Sequence, residues 1–146
     1  MKKHSFKDWL IATRPWSFPA SAMPVLVTLG YLFWKGVEVD WTIGVFTILN
    51  VVLFHAAGNT WSDYYDYKRG VDREDTVGGL SIVSGQFTPE EIKKLSLSLF
   101  AAAIAGGFAL SFLVFDETGS TLASALIMAI QVIPGAVVPL IAPPWM

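Results

Sequence analysis

The chain has 146 residues, 53% of them hydrophobic and 15% charged, with a mean hydropathy of +0.53 and a formal net charge of −2. That balance lies well outside the range of a soluble domain, and the charges it does carry are confined to short segments between long apolar runs. With no cysteine, disulfides, thiolate catalysis and Cys-ligated metals are excluded, and no nucleic-acid partner is expected.

Residues 1–14 place Lys2, Lys3, Lys7 and Arg14 among Phe6, Trp9, Leu10 and Ile11. This is the composition of a short amphipathic helix lying in the membrane interface with its basic side toward headgroups. Arg14 and Pro15 interrupt the run, and no clear cleavage site follows, so the next segment reads as a retained first membrane helix and not as a signal peptide. Residues 16–34 carry no charge and are about the 20 residues that a span needs. A short polar turn over 35–40 leads to a second apolar run at 41–61. A long hydrophilic loop is expected over 62–94. Within it Thr88-Pro89-Glu90-Glu91 predicts a helix start, with Thr88 as N-cap, Pro89 at N1 and Glu91 closing a capping box. Third and fourth spans are expected at 95–115 and 121–141. The predicted fold class is therefore all-α, a polytopic transmembrane helical bundle with about four spans.

Nine of the ten basic residues fall in the N-terminal segment and the long loop, and Lys35 alone falls on the other side. The positive-inside rule then places the N-terminus and the charged loop in the cytoplasm.

The chemistry-bearing stretch runs from His55 to Asp75. Asn59, Asp63 and Asp66 are spaced i, i+4, i+7, so on a helix they share one face, with His55 one turn earlier. Two carboxylates and a carboxamide suit Mg²⁺, which takes one or two carboxylates and lets substrate phosphates and water complete its shell. Asp72, Glu74 and Asp75 add carboxylate nearby, and Lys68, Arg69 and Arg73 are suited to a phosphate neutralised by metal and cations together. Asp63 and Asp66 also have a plainer reading as interfacial residues facing water. Arg14 reads equally as a snorkelling anchor or as a guanidinium gripping a diphosphate. His55 reads as a packing histidine bonded to a neighbour before it reads as a base. The tryptophans and Tyr64, Tyr65 and Tyr67 are explained by aromatic belting.

The segment Asn59-x-x-x-Asp63-Tyr64-x-Asp66, followed by Lys68-Arg69-Gly70-x-Asp72, resembles the first aspartate-rich motif of the UbiA superfamily of intramembrane prenyltransferases. Thr13-Arg14-Pro15-Trp16-Ser17-Phe18-Pro19-Ala20-Ser21, with Pro24, is similar to the start of that family's first helix. Val83-Ser84-Gly85-x-x-Thr88-Pro89-Glu90 looks like its link into a later helix. Together they most resemble the menaquinone branch, the 1,4-dihydroxy-2-naphthoate polyprenyltransferases. The resemblance implies Mg²⁺-dependent transfer of a polyprenyl group from its diphosphate to an aromatic acceptor, in the inner (plasma) membrane of a bacterium. Asp63 and Asp66 would be catalytic; Asn59, Asp63, Asp66 and Asp72 would hold metal; Arg14, Asn59, Lys68 and Arg69 would bind diphosphate. The family has about nine membrane helices and a second aspartate motif, which this sequence lacks. Residues 1–146 are thus expected to be the N-terminal portion of such a domain, partnered by a C-terminal half chain or by self-association. Two other readings stand beside this one: a truncated, non-catalytic four-helix membrane protein or subunit, and a transport component with His55 and Asn59 lining a path.

Overall fold

The computed structural model of the protein describes residues 3–73 and 80–126. Those residues are helical wherever they are regular. In chain order they form α1 (Phe6–Ala12), a 3₁₀ turn (Pro15–Ser17), α2 (Pro19–Trp34), α3 (Trp41–Arg69), the single turn α4 (Leu80–Val83) and α5 (Pro89–Thr118). Among the described residues, three stretches are long and apolar enough to cross a membrane: Pro15–Trp34, Trp41–Arg69 and Pro89–Thr118. The protein is an integral membrane helical protein. Of the expected fourth span, residues 121–126 are helical and the remainder lies outside the described residues, as do Glu74, Asp75, Gly78 and Gly79.

Three of the described helices start on a side-chain cap. Ser5 caps α1: its hydroxyl accepts from the Asp8 amide at 3.2 Å, while the Asp8 carboxylate accepts from the Ser5 amide at 2.8 Å. The Ser5 amide, and the Ser5 hydroxyl donating to the same carboxylate at 2.8 Å, hold the Asp8 carboxyl below its usual range. On α1, Phe6 is 81% exposed while Ala12 is buried, as expected of an interfacial helix with one apolar side outward. Asp40 caps α3 by accepting from the Thr42 and Ile43 amides. The capping box expected at Thr88 is present, with Glu91 accepting from the Thr88 amide at 2.8 Å.

The second span is longer than its apolar run. Twenty-nine residues in α3 extend about 44 Å at 1.5 Å per residue, against a hydrocarbon core of about 30 Å. The final turns, Ser62–Arg69, therefore stay helical beyond the apolar region, where the sequence suggested loop. Polarity does not end a helix; Gly70 does. It takes the left-handed conformation at φ 70°, and the Val71 amide returns to the Asp66 carbonyl at 2.9 Å. The loop is correspondingly shorter at its far end, since 89–94 already belong to α5.

By internal contacts the chain divides into two units, residues 1–103 and 104–146, with the division falling within α5. In the first, α2 packs on α3 closely: a Cβ on Gly44 would stand 3.0 Å from Leu29 Cδ1. Ser96 of α5 donates to the Ala57 carbonyl of α3 at 2.9 Å, both residues fully buried, which is close small-residue helix contact. A buried cluster of Ala12, Tyr64, Ile82, Phe87 and Ile92 ties α1 to the ends of α3 and α5, with Trp9 and Leu95 against it. In the second unit, Gly119 at φ 61° closes α5, and the Ser120 hydroxyl accepts from the Ala123 amide.

Candidate functional site

The polar face expected on α3 exists, and the turn between α1 and α2 closes over it. Arg14 sits in that turn with left-handed backbone angles, φ 57° and ψ 61°, a conformation that costs a non-glycine residue about 1–3 kcal/mol. Its guanidinium ion-pairs and hydrogen-bonds with the carboxylate of Asp63, which is only 1% exposed. One helical turn earlier, the Asn59 amide nitrogen donates to the Thr13 carbonyl and to the Ser17 hydroxyl, both at 2.9 Å. One turn earlier again, the His55 ring lies between two hydroxyls, with Nε2 3.0 Å from Ser17 Oγ and Nδ1 hydrogen-bonded to Ser21 Oγ. Phe18 meets that ring edge-on. His55 is thus a hydrogen-bonded packing histidine, and the Arg14 turn is bonded to α3 at successive levels.

Asp66 and Asp72 complete the acidic group. Asp66 accepts from Ser62 within its own helix at 2.8 Å. The Gly70 turn folds the chain back so that Asp72 lies beside Asp66, its amide 3.4 Å from the Asp66 carbonyl. Asp63, Asp66 and Asp72 repel one another electrostatically, while Arg14 attracts both Asp63 and Asp72. Burial first, and the Asp66 charge second, push the Asp72 carboxyl above its usual range. Its Oδ2 is a buried oxygen with no hydrogen-bond partner among the described residues.

Among those residues no group of three or more histidines and carboxylates is arranged to hold a metal. The donor set does fit an ion that needs one or two protein carboxylates and takes its remaining ligands from phosphate and water. The unpartnered Asp72 oxygen beside Asp66 is the observation that favours that fit.

Lys68 and Arg69 lie elsewhere on α3. They occupy the i+4 positions of Tyr64 and Tyr65, so they stack on the neighbouring stripes of the helix. Lys68 Nζ is 5.5 Å from the Tyr64 ring centroid and 3.4 Å from its hydroxyl, and Arg69 lies over Tyr65 at 5.7 Å. Lys93, from α5, also approaches the Tyr64 ring, at 5.6 Å. The expected diphosphate set therefore divides: Arg14 and Asn59 gather at Asp63, while Lys68 and Arg69 are held over tyrosines. The structure adds Thr13, Ser17 and Ser21 to the site, residues without a role there in the sequence pattern, and brings Lys93 to Tyr64. The hydroxyl spacing Thr13, Ser17, Ser21 (i, i+4, i+8) was the available signal.

The sequence pattern of the UbiA prenyltransferase family matches residues 21–137. Among curated proteins, the chain is 35% identical over 94 residues to a Bacillus subtilis 1,4-dihydroxy-2-naphthoate octaprenyltransferase, covering 63% of this chain and 30% of that one. It is 31% identical over 106 residues to a Drosophila melanogaster UbiA prenyltransferase domain-containing protein 1 homolog, covering 71% and 29%. The Xenopus tropicalis UbiA prenyltransferase domain-containing protein 1 is 29% identical over 103 residues, covering 68% and 30%. The chain thus spans about 30% of the length of these relatives. No solved structure matches it.

Proposed function

Because this chain belongs to the UbiA prenyltransferase family, we propose that it contributes the first diphosphate-binding half of a membrane prenyltransferase. That enzyme moves a polyprenyl group from its diphosphate to an aromatic acceptor. The observation that carries the reading is the buried Asp63 carboxylate held by Arg14 directly beside Asp66 and Asp72. An arginine and several carboxylates gathered at the end of a membrane helix suit an allylic diphosphate, whose prenyl tail belongs in the apolar phase and whose leaving group belongs at the interface.

The residues divide the work by charge. Arg14 presents a planar guanidinium that can pass from Asp63 to a diphosphate, since both accept its fork of donors. Asp66 and Asp72 would hold Mg²⁺, with Asp63 and the Asn59 carboxamide beside them; an ion bound there would neutralise charge developing on the departing pyrophosphate. Asp63 and Asp66 keep the catalytic role that the motif gives them. Lys68 and Arg69 supply positive potential from the adjoining stripes and draw the diphosphate to this end of the helix. The acceptor is proposed to be 1,4-dihydroxy-2-naphthoate, a step of menaquinone biosynthesis, which the similarity to the Bacillus subtilis enzyme favours. The UbiA prenyltransferase domain-containing protein 1 relatives cover more of the chain, 68% and 71% against 63%. The membrane is proposed to be the bacterial plasma membrane, with Asp63 at its cytoplasmic side, the placement that the Lys/Arg distribution favours.

The test is transfer of a labelled polyprenyl group to dihydroxynaphthoate in nanodiscs with Mg²⁺. The chain is assayed alone and with a candidate C-terminal half, beside Asp63→Asn and Asp66→Asn. Transfer that both substitutions abolish supports the reading. Transfer indifferent to them removes these residues from the reaction.

A further inference from the structure

We infer that His55 is a positioning residue for Arg14, acting through Ser17, and that its ring is held as the neutral Nε2–H tautomer. The role in ligand binding rests on the diphosphate reading above; the tautomer and the positioning do not.

The hydrogen-bond capacities of these groups lead to the tautomer. Ser17 has one hydroxyl proton, and the oxygen lies 2.8 Å from the Arg14 carbonyl, which can only accept. The proton therefore goes to Arg14. Asn59 must turn its NH₂ toward this turn, because the Thr13 carbonyl 2.9 Å from it is likewise only an acceptor. One amide proton satisfies Thr13 and the other reaches Ser17 Oγ. Ser17 then has a single lone pair left for His55, 3.0 Å away. A bare Nε2 would face that lone pair with its own, so Nε2 carries the proton. Nδ1 is left as an acceptor, and the Ser21 hydroxyl is its donor. Every proton has one destination. A bare Nε2 would place two lone pairs against each other in a membrane segment, where an unmet polar contact is costly, and a ring protonated at both nitrogens would carry an unpaired charge there.

The chain of bonds has a direction. Ser21 fixes His55, His55 and Asn59 fix Ser17, and Ser17 holds the carbonyl of Arg14. The arginine is the one non-glycine residue at positive φ among the described residues. A strained conformation persists only when its surroundings over-determine it; Asn59 of α3 anchors the Thr13 carbonyl directly, and Ser17, itself held by Asn59 and His55, anchors that of Arg14. The ladder thereby sets where the guanidinium leaves the backbone, and so its reach to Asp63. Nothing in the aspartate-rich motif itself includes His55, Ser17 or Ser21.

The experiment labels the chain with ¹⁵N-arginine and ¹⁵N-histidine in nanodiscs. The sequence has three arginines and two histidines, so Arg14 and His55 are assigned by single substitution. Wild type is expected to show a slowly exchanging, rotationally restricted Arg14 guanidinium and a His55 pair with Nε2 protonated and Nδ1 bare. His55→Ala is expected to lose the restricted Arg14 signal. His55→Gln, whose amide can donate from near the Nε2 position, is expected to restore it. Ser17→Ala is expected to behave as His55→Ala does with the ring intact, and Ser21→Ala reads the same loss in part with almost no change of volume, should His55→Ala fail to fold. Binding of inorganic pyrophosphate with Mg²⁺ is measured on the same samples, and His55→Ala is expected to weaken it about tenfold, the scale of an outer-shell partner, with recovery in His55→Gln. A restricted Arg14 signal that survives His55→Ala and Ser17→Ala overturns the positioning role, and an Nδ1–H tautomer overturns the assignment. If the Arg14 signals behave as expected and wild type binds no pyrophosphate, the positioning stands and the diphosphate reading falls.

Discussion

Replacing Arg14 by leucine should destabilise the fold more than neutralising its partner does. Asp63 is 1% exposed, while Arg14 retains 27% of its side-chain surface. At hydrogen-bonding separation, about 3 Å, the pair attracts by about 5–6 kcal/mol for an effective dielectric of 20, most of it offset by desolvation. Removing Arg14 leaves the desolvated carboxylate with its attraction gone, at a cost of about 3–5 kcal/mol. Asp63→Asn removes the buried charge and keeps an oxygen for the guanidinium, while Arg14 can still reach water. Its cost is the lost charge assistance, about 1–2 kcal/mol. Arg14→Leu with Asp63→Leu removes both charges and should return to within about 2 kcal/mol of wild type. Unfolding of the chain in mixed micelles, titrated with SDS and followed by far-ultraviolet circular dichroism, measures all three. An Arg14→Leu cost no larger than that of Asp63→Asn would refute the reasoning, because Asp63 would then not depend on Arg14 for compensation.

Gly70→Ala should cost about 1 kcal/mol in the same titration, since φ 70° at this position disfavours a Cβ. Asp72 titrates above its ordinary 3.8 because it is partly buried and faces Asp66. The folded chain therefore binds that proton more tightly than the unfolded one, and stability is lost as pH rises from below 3.8 through the raised value. Asp72→Asn should match wild type below that window and be the more stable of the two at neutral pH, as paired unfolding curves across pH will record. At Gly44, alanine would place a Cβ 3.0 Å from a Leu29 methyl, which a small side-chain shift can relieve. Gly44→Leu should force α2 away from α3 and cost about 1–3 kcal/mol, read as a lower unfolding midpoint.

Most of the helical frame was legible from composition, because a charge-free run about 20 residues long has few fates other than a span. One cap was legible too: Thr88-Pro89-Glu90-Glu91 signals a helix start, and α5 begins there. What misled was the end of α3. A change from apolar to charged residues at Ser62 marks the membrane boundary and not a helix end, and Ser62–Asp66, Tyr64–Lys68 and Tyr65–Arg69 are i, i+4 pairs that a helix favours. The stripe of Asn59, Asp63 and Asp66 was legible from spacing alone. Its partners were not, because Arg14 and Asp63 lie 49 residues apart and no local pattern encodes a contact across two helices. Once Arg14 meets Asp63, the two readings of the arginine, anchor or ligand grip, merge into one residue that now neutralises a buried acid. Lys68 and Arg69 show the reverse case: adjacent in sequence to the acidic stripe, they turn by their own helical positions onto Tyr64 and Tyr65.

The most direct test of the account is binding of farnesyl diphosphate to the purified chain in nanodiscs, with and without Mg²⁺, for wild type, Asp63→Asn and Arg14→Leu. The account predicts binding that requires Mg²⁺ and weakens at least about tenfold in each variant, the loss of one charge-assisted contact. Binding that ignores the metal and both substitutions would contradict it.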